Sequence, residues 1–394
     1  MIITTEIKSL VQRIEQTQLT VTAAQEAQNT SDPALIAVLN NDVRQLVLAL
    51  THACEADENR LTTLTDEPLS PYPMDKDGYA VSFDPLQDEA GFVAAWQRYG
   101  IVVGKAILSP EQCRETATAI KGRFNALSHG QCDFDTPATW PNMPKDANGT
   151  PVLSRGFLDI YHDDVLAQIR QNIRAYIHHV LIWRRPDLWT SFDRIGVKLP
   201  QHAESKALPL HVDQNPNIHP DFKTVQGVLA ISDCPVERGT FFGVAGSRQY
   251  FSHYAGMAKN NGEYVELDTA APIAKVFEAN ARPIPLRAGD YVSWDSRTTH
   301  ANTENISNDP RMVVYLAAGP AQEHNQAALA ARLDAVQSGE GSNVREALMH
   351  ASKKPRYNDL AALASVRQPE QLTLLGELLY GKQSYRKITA APAP

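Results

Sequence analysis

Short strand-like segments fill the middle of this chain and restrict what it can fold into. Apolar and β-branched residues come in short runs, and turns rich in Gly, Pro, Asn and Asp separate the runs. Many short strands with such turns predict a β-sandwich or a barrel. The predicted strands are Asp193–Leu199, Val225–Ile231, Thr240–Val244, Arg282–Leu286, Tyr291–Trp294 and Arg311–Ala317.

Helical patterns flank this region on both sides. Apolar residues at helical spacing form one stripe at Val43, Leu46, Val47 and Leu50 and another at Leu372, Leu375, Leu378 and Leu379. We therefore expect an N-terminal helical extension over 1–66, a core over 67–320 and a C-terminal helical region over 321–394.

The composition excludes several classes of function. The chain has 394 residues and a net charge of −8, which argues against binding to nucleic acid or to an anionic membrane. No basic start leads into an apolar targeting segment, and the continuous apolar runs are too short to span a bilayer. The four cysteines form no CxxC pair. We expect a cytoplasmic protein with free thiols, a small-molecule substrate, and no nucleic-acid or membrane partner.

Two histidines and an aspartate stand in a pattern that suits a metal ion. His211 and Asp213 are two residues apart in an extended segment, so both side chains point to the same face. His300 follows a predicted strand, and the intervening chain is long enough to return beside the first pair. Two histidines and one carboxylate form the facial triad of non-haem Fe(II) oxygenases. The HxD pattern alone is a weak signal, because it also arises by chance.

An arginine strengthens this interpretation. Arg311 opens an apolar strand eleven residues after His300, and an unpaired charge is costly to bury. Its guanidinium is suited to bind a carboxylate through two hydrogen bonds, such as the distal carboxylate of 2-oxoglutarate. An ordinary salt bridge is the alternative for Arg311 on its own.

Several segments resemble, in order, those of the phytanoyl-CoA dioxygenase-like family of Fe(II)/2-oxoglutarate-dependent oxygenases. Over about residues 92–320, the matching segments are Phe92–Val103, Leu108–Glu111, His211–Gln214, Val225–Asp233, Gly239–Phe241, Ala245–Arg248, Ala288–Asp290, His300, Asn305 and Arg311. In the Ala245–Arg248 turn, Ala245 stands where the family has proline and Arg248 where it has histidine.

The resemblance implies a mainly β chain with flanking helices, whose core is a double-stranded β-helix, a cupin-like jelly roll. It also implies that His211, Asp213 and His300 are catalytic iron ligands and that Arg311 anchors 2-oxoglutarate. The reaction would use Fe(II), 2-oxoglutarate and O₂ and release succinate and CO₂. Related halogenases lack the carboxylate ligand, so Asp213 favours hydroxylation or a related oxidation.

Weaker site residues follow from strand alternation and from polar clusters. Gln226 and Lys198 are predicted to contact 2-oxoglutarate or substrate. Substrate contacts are assigned to Arg155, Asp159, His162, Arg194, Asn215 and Trp294. Loop hydrogen bonds are the favoured explanation of the cluster from Arg155 to His162, turn chemistry explains Asn215 equally well, and packing is favoured for Trp294.

Two other functions remain open. A cupin-type metal enzyme would use the same barrel without 2-oxoglutarate and would not need Arg311. A non-catalytic barrel that serves as a sensor or scaffold would not need the metal ligands. We favour an oxygenase that hydroxylates a small polar metabolite or a natural-product intermediate, and the helical ends offer surfaces for a homodimer.

Overall fold

The computed structural model describes residues 1–28, 32–57, 67–146, 148–153, 156–200, 207–221, 224–259, 262, 264–342, 352–357 and 359–390. The α-helices are α1 Thr5–Gln28, α2 Pro33–Glu55, α3 Glu89–Tyr99, α4 Pro110–Leu127, α5 Asp164–Arg170, α6 Ile173–Trp183, α7 Pro272–Asn280, α8 Gln326–Ser338, α9 Leu360–Val366, α10 Leu374–Tyr380 and α11 Tyr385–Thr389, and 3₁₀ helices span Pro137–Asn142 and Ser247–Gly256.

The strands are β1 Ile101–Gly104, β2 Phe157–Leu158, β3 Leu188–Thr190, β4 Ile195–Lys198, β5 His211–Val212, β6 Val225–Ala230, β7 Phe241–Gly243, β8 Val265–Glu266, β9 Arg282–Ile284, β10 Tyr291–Asp295, β11 His300–Asn302, β12 Arg311–Tyr315, β13 Ala318–Pro320, β14 Gly341–Ser342 and β15 Ser352–Lys353. Each strand predicted from the sequence has a counterpart that begins and ends within about two residues of its expected bounds.

Two antiparallel sheets form the centre of the molecule. One has the strand order β1-β10-β6-β12-β4-β2 and the other has the order β8-β5-β11-β7-β9. Their inner faces share one apolar cluster, in which Val228 and Val313 of the first sheet pack with Phe241 and Ile284 of the second. The opposite face of the first sheet carries residues such as Leu229, which pack in a separate cluster with α4 and α5. The arrangement is therefore a two-sheet sandwich with helices on its outer side.

Helices hold more of the described residues than strands do. The chain is therefore mixed α and β, and the expectation of a mainly β chain is corrected in this respect. The reason is that the strands are short, with six residues in β6, whereas α1 and α2 have more than twenty residues each.

Helix α4 begins with a capping box. Ser109 accepts a hydrogen bond from the Gln112 backbone N–H, the Gln112 side chain caps the Ser109 N–H in return, and Pro110 occupies the first helical position. Asn172 separates α5 from α6, because its side chain accepts hydrogen bonds that start a new helix.

The two ends of the chain pack together. Val43 and Leu46 of α2 belong to the same apolar cluster as Ile177 of α6 and Leu375 and Leu378 of α10. By length and composition alone α2 could span a membrane, but its apolar stripe is buried inside this cluster. The terminal helical regions thus build one shared core beside the sandwich.

Candidate metal centre

Strand pairing brings the two predicted histidine ligands side by side. Strands β5 and β11 are antiparallel neighbours, and their register pairs His211 with His300. The two imidazole rings lie 4.4 Å apart between centroids. Residues that are far apart in the sequence therefore meet because both strands carry a histidine at the same rung of one ladder.

Asp213 completes the group just after β5. One carboxylate oxygen lies 4.0 Å from His211 Nε2 and the other 3.6 Å from His300 Nε2. One ligand atom from each of the three residues can be chosen so that all lie within 4.8 Å of one another. These residues are called the triad below. Their donor set matches that of a facial-triad iron site.

Backbone contacts fix which nitrogen of each histidine is free to bind a metal. His211 Nδ1 lies 2.7 Å from the Pro209 carbonyl oxygen, and His300 Nδ1 lies 2.9 Å from that of Thr298. A carbonyl only accepts, so each Nδ1 carries the proton and each Nε2 keeps its lone pair. Burial, with repulsion from His300, lowers the pKa of His211 to about 4, so this imidazole is neutral at neutral pH.

Gln226 holds the carboxylate of the triad. Its Nε2 donates to Asp213 Oδ2 at 2.8 Å, and its Oε1 accepts from Trp294 Nε1 at 3.0 Å. Both side chains come from neighbouring strands of the six-stranded sheet, whose register pairs Gln226 with Trp294. Trp294 also packs 4.9 Å from the His300 ring. Gln226 and Trp294, which the sequence predicted as site residues, therefore contact the triad and hold its side chains in place.

A cavity of about 520 Å³ opens over the triad, a size typical of small-molecule sites. The triad, Gln226, Trp294 and Arg311 line it, as do several residues from the outer strands and loops. Aromatic side chains form much of the wall: Phe157, Phe241, Tyr264, Trp294 and Tyr315.

Arg311 is buried in the wall of this cavity. It has no ion-pair partner among the described residues, and its Nε has no hydrogen-bond partner there. Gly196 makes room for the side chains beside it, since a Cβ at that position would lie under 3 Å from Val313 and Tyr315 atoms and in ordinary contact, 3.5 Å, with Arg311 Nη1. An unpaired buried guanidinium facing a cavity fits a carboxylate ligand.

Lys198 lies beside Arg311 but does not line the cavity. The register of β4 and β12 pairs the two residues, and Lys198 Nζ donates to Asn302 Oδ1 and to the Thr303 carbonyl oxygen. Burial, with repulsion from Arg311, lowers the pKa of Lys198 to about 7. Its ammonium group thus supports a cavity residue, Asn302, rather than reaching into the cavity itself.

Arg194 does line the cavity, together with a residue that the sequence did not indicate. Arg194 and Arg356 both donate to the carboxylate of Asp159, which is buried behind them. Burial raises the pKa of Asp159, but the two guanidinium groups outweigh burial and hold it below its ordinary value. No spacing or motif links Arg356 to the site, because it is 197 residues from Asp159 in the chain.

Other predicted substrate residues lie elsewhere. His162 contacts the Glu370 carboxylate and the Glu340 carbonyl oxygen, so it joins the C-terminal region to the sandwich. Asn215 accepts from the Asn217 N–H and donates to the Gly262 carbonyl oxygen. Neither side chain lines the cavity, and Arg155 falls outside the described residues.

The Ser247–Gly256 segment holds the turn before His300, a role that sequence reasoning missed. Ser247 Oγ accepts from the Thr299 N–H at 2.8 Å, and Arg248 lies 3.7 Å from Asp295 at the end of β10. Asp295 also pairs with Arg297 at 2.7 Å. Arg248 therefore packs against this turn with its charge directed at Asp295.

Comparisons with known proteins agree with the motif order. The family model described as phytanoyl-CoA dioxygenase (PhyH) matches residues 96–313. Ava biosynthesis cluster protein O of Aspergillus versicolor is 23% identical over 286 residues, which are 68% of this chain and 90% of that protein.

One solved structure shows the same fold at low identity. A hypothetical protein of Escherichia coli superposes with a TM-score of 0.56 at 16% identity, covering 95% of this chain and 97% of that chain. The shared fold thus extends over the terminal helices as well as the sandwich. The epimerase SnoN, crystallised with Fe³⁺ and α-ketoglutarate, has a TM-score of 0.42 at 18% identity, covering 59% of this chain and 84% of that one.

Proposed function

Because the chain belongs to the phytanoyl-CoA dioxygenase family, we propose that it is a dioxygenase that hydroxylates a small molecule. The family's cofactors are Fe(II) and 2-oxoglutarate, with O₂ as the oxidant, and the residues present fit them. The observation that carries the proposal is one cavity lined by both the triad and the unpaired Arg311.

Three side chains of this protein hold the metal in this proposal. Nε2 of His211, Nε2 of His300 and the carboxylate of Asp213 are the ligands, and Gln226 keeps the carboxylate turned towards the two imidazoles. Bound Fe(II) supplies a site at which O₂ and 2-oxoglutarate react with the substrate C–H bond, giving succinate, CO₂ and a hydroxyl group. A metal held by these three side chains would keep room for the co-substrate and O₂.

Arg311 binds the distal carboxylate of 2-oxoglutarate through paired hydrogen bonds. The cavity walls near the triad, Phe241 and Trp294, keep water away from the reacting groups. In this setting the protein positions the reactants and sets the electrostatics, while the chemistry belongs to the iron and the co-substrate.

Hydroxylation is the proposed outcome because Asp213 is present as the carboxylate ligand. The fungal relative's name places it in a biosynthesis cluster, which supports a metabolite or natural-product substrate. The two facing antiparallel sheets support a double-stranded β-helix as the class of the core.

Succinate formation tests the proposal. Purified protein is incubated with Fe(II), 2-oxoglutarate, ascorbate and O₂, and succinate is measured by mass spectrometry. We expect succinate that depends on added Fe(II), is lost in His300→Ala, and persists in His253→Ala, a matched change at an exposed histidine. Equal succinate from the wild type and from His300→Ala would contradict the proposal.

A further inference from the structure

Two arginines besides Arg311 line the cavity over the triad. Arg194 and Arg356 share the buried Asp159, and both residues line the cavity wall. We propose that Arg194 and Arg356 form a clamp for the carboxylate of the substrate, so that the substrate is a carboxylic acid with an apolar body. This inference rests on the proposed function, because it names the substrate class of that same site.

Asp159 fixes the geometry of the clamp. Arg356 donates from Nε at 2.5 Å and from Nη2 at 3.1 Å, which is a two-pronged contact, and Arg194 Nη1 donates at 3.2 Å. Arg194 also lies over the Phe157 ring at 3.9 Å. Both guanidinium planes are thus held in place before a ligand arrives, which reduces the entropy cost of binding.

The clamp retains capacity for a ligand. The Arg356 side chain is 34% exposed and the Arg194 side chain is 14% exposed. Asp159 occupies Nη1 of Arg194 and Nε and Nη2 of Arg356, whereas Arg194 Nη2 and Arg356 Nη1 make no hydrogen bond to a described residue. A bound acid would therefore gain charge-assisted hydrogen bonds from these N–H groups.

The clamp and Arg311 stand at opposite ends of one strand pair. Arg311 pairs with Lys198 in the β4–β12 ladder, whereas the Arg194 carbonyl oxygen accepts from the Tyr315 N–H at the other end. Lys198 and Arg194 are four positions apart, which is about 13 Å of strand backbone. Arg311 and the clamp thus start from different ends of the strand pair, and the proposal assigns the co-substrate to Arg311 and the substrate acid to the clamp.

Aromatic rings lie against the clamp. Phe157 and Tyr315 line the cavity with ring centroids 5.3 Å apart, and Phe157 is the ring that Arg194 covers. An apolar or aromatic body attached to the acid would bury surface on these rings. A planar carboxylate suits the two-pronged contacts of a guanidinium better than a single amine or hydroxyl would.

Calorimetry with a matched pair of probes tests the clamp. The probes are 4-phenylbutyrate and its neutral amide, 4-phenylbutyramide, and both are titrated anaerobically into protein loaded with Fe(II) and 2-oxoglutarate. The same titration into metal-free Arg311→Ala removes the competing guanidinium and makes the result independent of iron chemistry. We expect roughly tenfold tighter binding of the acid than of the amide in both proteins.

Three variants test which residues cause the preference for the acid over the amide. Arg194→Gln and Arg356→Gln should each remove most of the acid preference, while Arg114→Gln, at an exposed position on α4, should keep it. Arg194→Gln leaves the Arg356–Asp159 contact intact, so it tests the clamp even if Arg356→Gln loosens the C-terminal segment. Equal binding of acid and amide by the wild type, or an unchanged preference in both Gln variants, would overturn the proposal.

Two further results distinguish this proposal from alternative ligands for the clamp. If 3-phenylpropylphosphonate binds more tightly than the carboxylate, the substrate class is a phosphate and the carboxylate is wrong. If the clamp variants lose 2-oxoglutarate binding while Arg311→Ala retains it, the clamp holds the co-substrate and the proposal fails. An acid preference in metal-free Arg311→Ala would support the clamp whether or not succinate is formed by the wild type.

Discussion

Individual side chains in the metal centre are each oriented by one contact. The histidines depend on carbonyl oxygens two residues earlier in the chain, which belong to Pro209 and Thr298. Asp213 depends on Gln226. The triad could be predicted from the sequence because strand periodicity places His211 and Asp213 on one face. The support from Gln226 was harder to define, because half of all strand residues point inwards.

Replacing Gln226 should weaken metal binding. Gln226→Leu removes the hydrogen bond to Asp213 and leaves the carboxylate free to turn away, so we expect roughly 10- to 100-fold lower Fe(II) affinity. Anaerobic competition with a chromogenic chelator measures it. Gln87→Leu, at an exposed position, is the matched change, and equal affinities for the two variants would contradict the role of Gln226.

A buried histidine should make the free energy of unfolding depend on pH. His179 contacts the Tyr291 hydroxyl at 3.1 Å, and burial lowers its pKa to about 3. Only the unfolded state takes up this proton between about pH 3 and pH 6.5, so the stabilisation is complete above pH 6.5 and declines as the pH falls.

Chemical denaturation of the metal-free protein checks this effect. From pH 7 to pH 5 the wild type should lose about 2 kcal/mol relative to His179→Gln. His52→Gln, at an exposed position on α2, should show the same pH dependence as the wild type. A constant difference between the wild type and His179→Gln would mean that folding leaves the pKa of His179 unchanged, which would contradict the effect of burial.

The pairing of the β-strands brings the residues of the site together. Register in the β5–β11 ladder sets the two histidines together, and register in the β4–β12 ladder sets Lys198 beside Arg311. The strands themselves were predictable from apolar runs and turn residues. Which strands pair with each other could not be predicted. The alternation of inward and outward side chains specifies the face on which each residue lies but does not specify the neighbouring strand. For the same reason the pairing of Asp159 with Arg356 had no sequence signal.

Gly196 on β4 tests this packing. Gly196→Ala places a Cβ within 3 Å of Val313 and Tyr315 side-chain atoms, so these two side chains must shift beside Arg311. We expect at least roughly tenfold weaker 2-oxoglutarate binding by calorimetry, the size expected for a displaced charge-assisted contact.

Gly122→Ala on α4 is the control for this change. A Cβ there has open space, and alanine favours helix, so this variant should gain up to about 1 kcal/mol of stability and bind 2-oxoglutarate normally. Normal 2-oxoglutarate binding by Gly196→Ala would show that Arg311 does not depend on the space above Gly196.

Over the whole molecule, the terminal helices and the sandwich form one packed unit. The stripes of α2 and α10 were predictable as helix faces, but their burial against each other joins segments from opposite ends of the chain. His162 and Arg170 add polar ties, since both contact Glu370 of the C-terminal region. Arg356 brings the same region into the cavity wall.

The shared core predicts cooperative unfolding. Leu378 is fully buried between the terminal helices, and Leu378→Ala should lower the free energy of unfolding by about 2–5 kcal/mol. Circular dichroism and tryptophan fluorescence should report one shifted transition in urea. Loss of helix in a separate, earlier transition would show that the terminal helices fold independently of the sandwich.

The central claim is that one cavity holds iron on the triad and 2-oxoglutarate on Arg311. Anaerobic titration of the metal-free protein with Fe(II) and 2-oxoglutarate, followed by visible absorption, tests both parts together. We predict an iron-to-keto-acid charge-transfer band in the wild type that is weakened in Asp213→Ala and in Arg311→Ala. Normal metal binding without the band would favour a cupin-type enzyme that does not use 2-oxoglutarate, and absence of metal binding would contradict the account altogether.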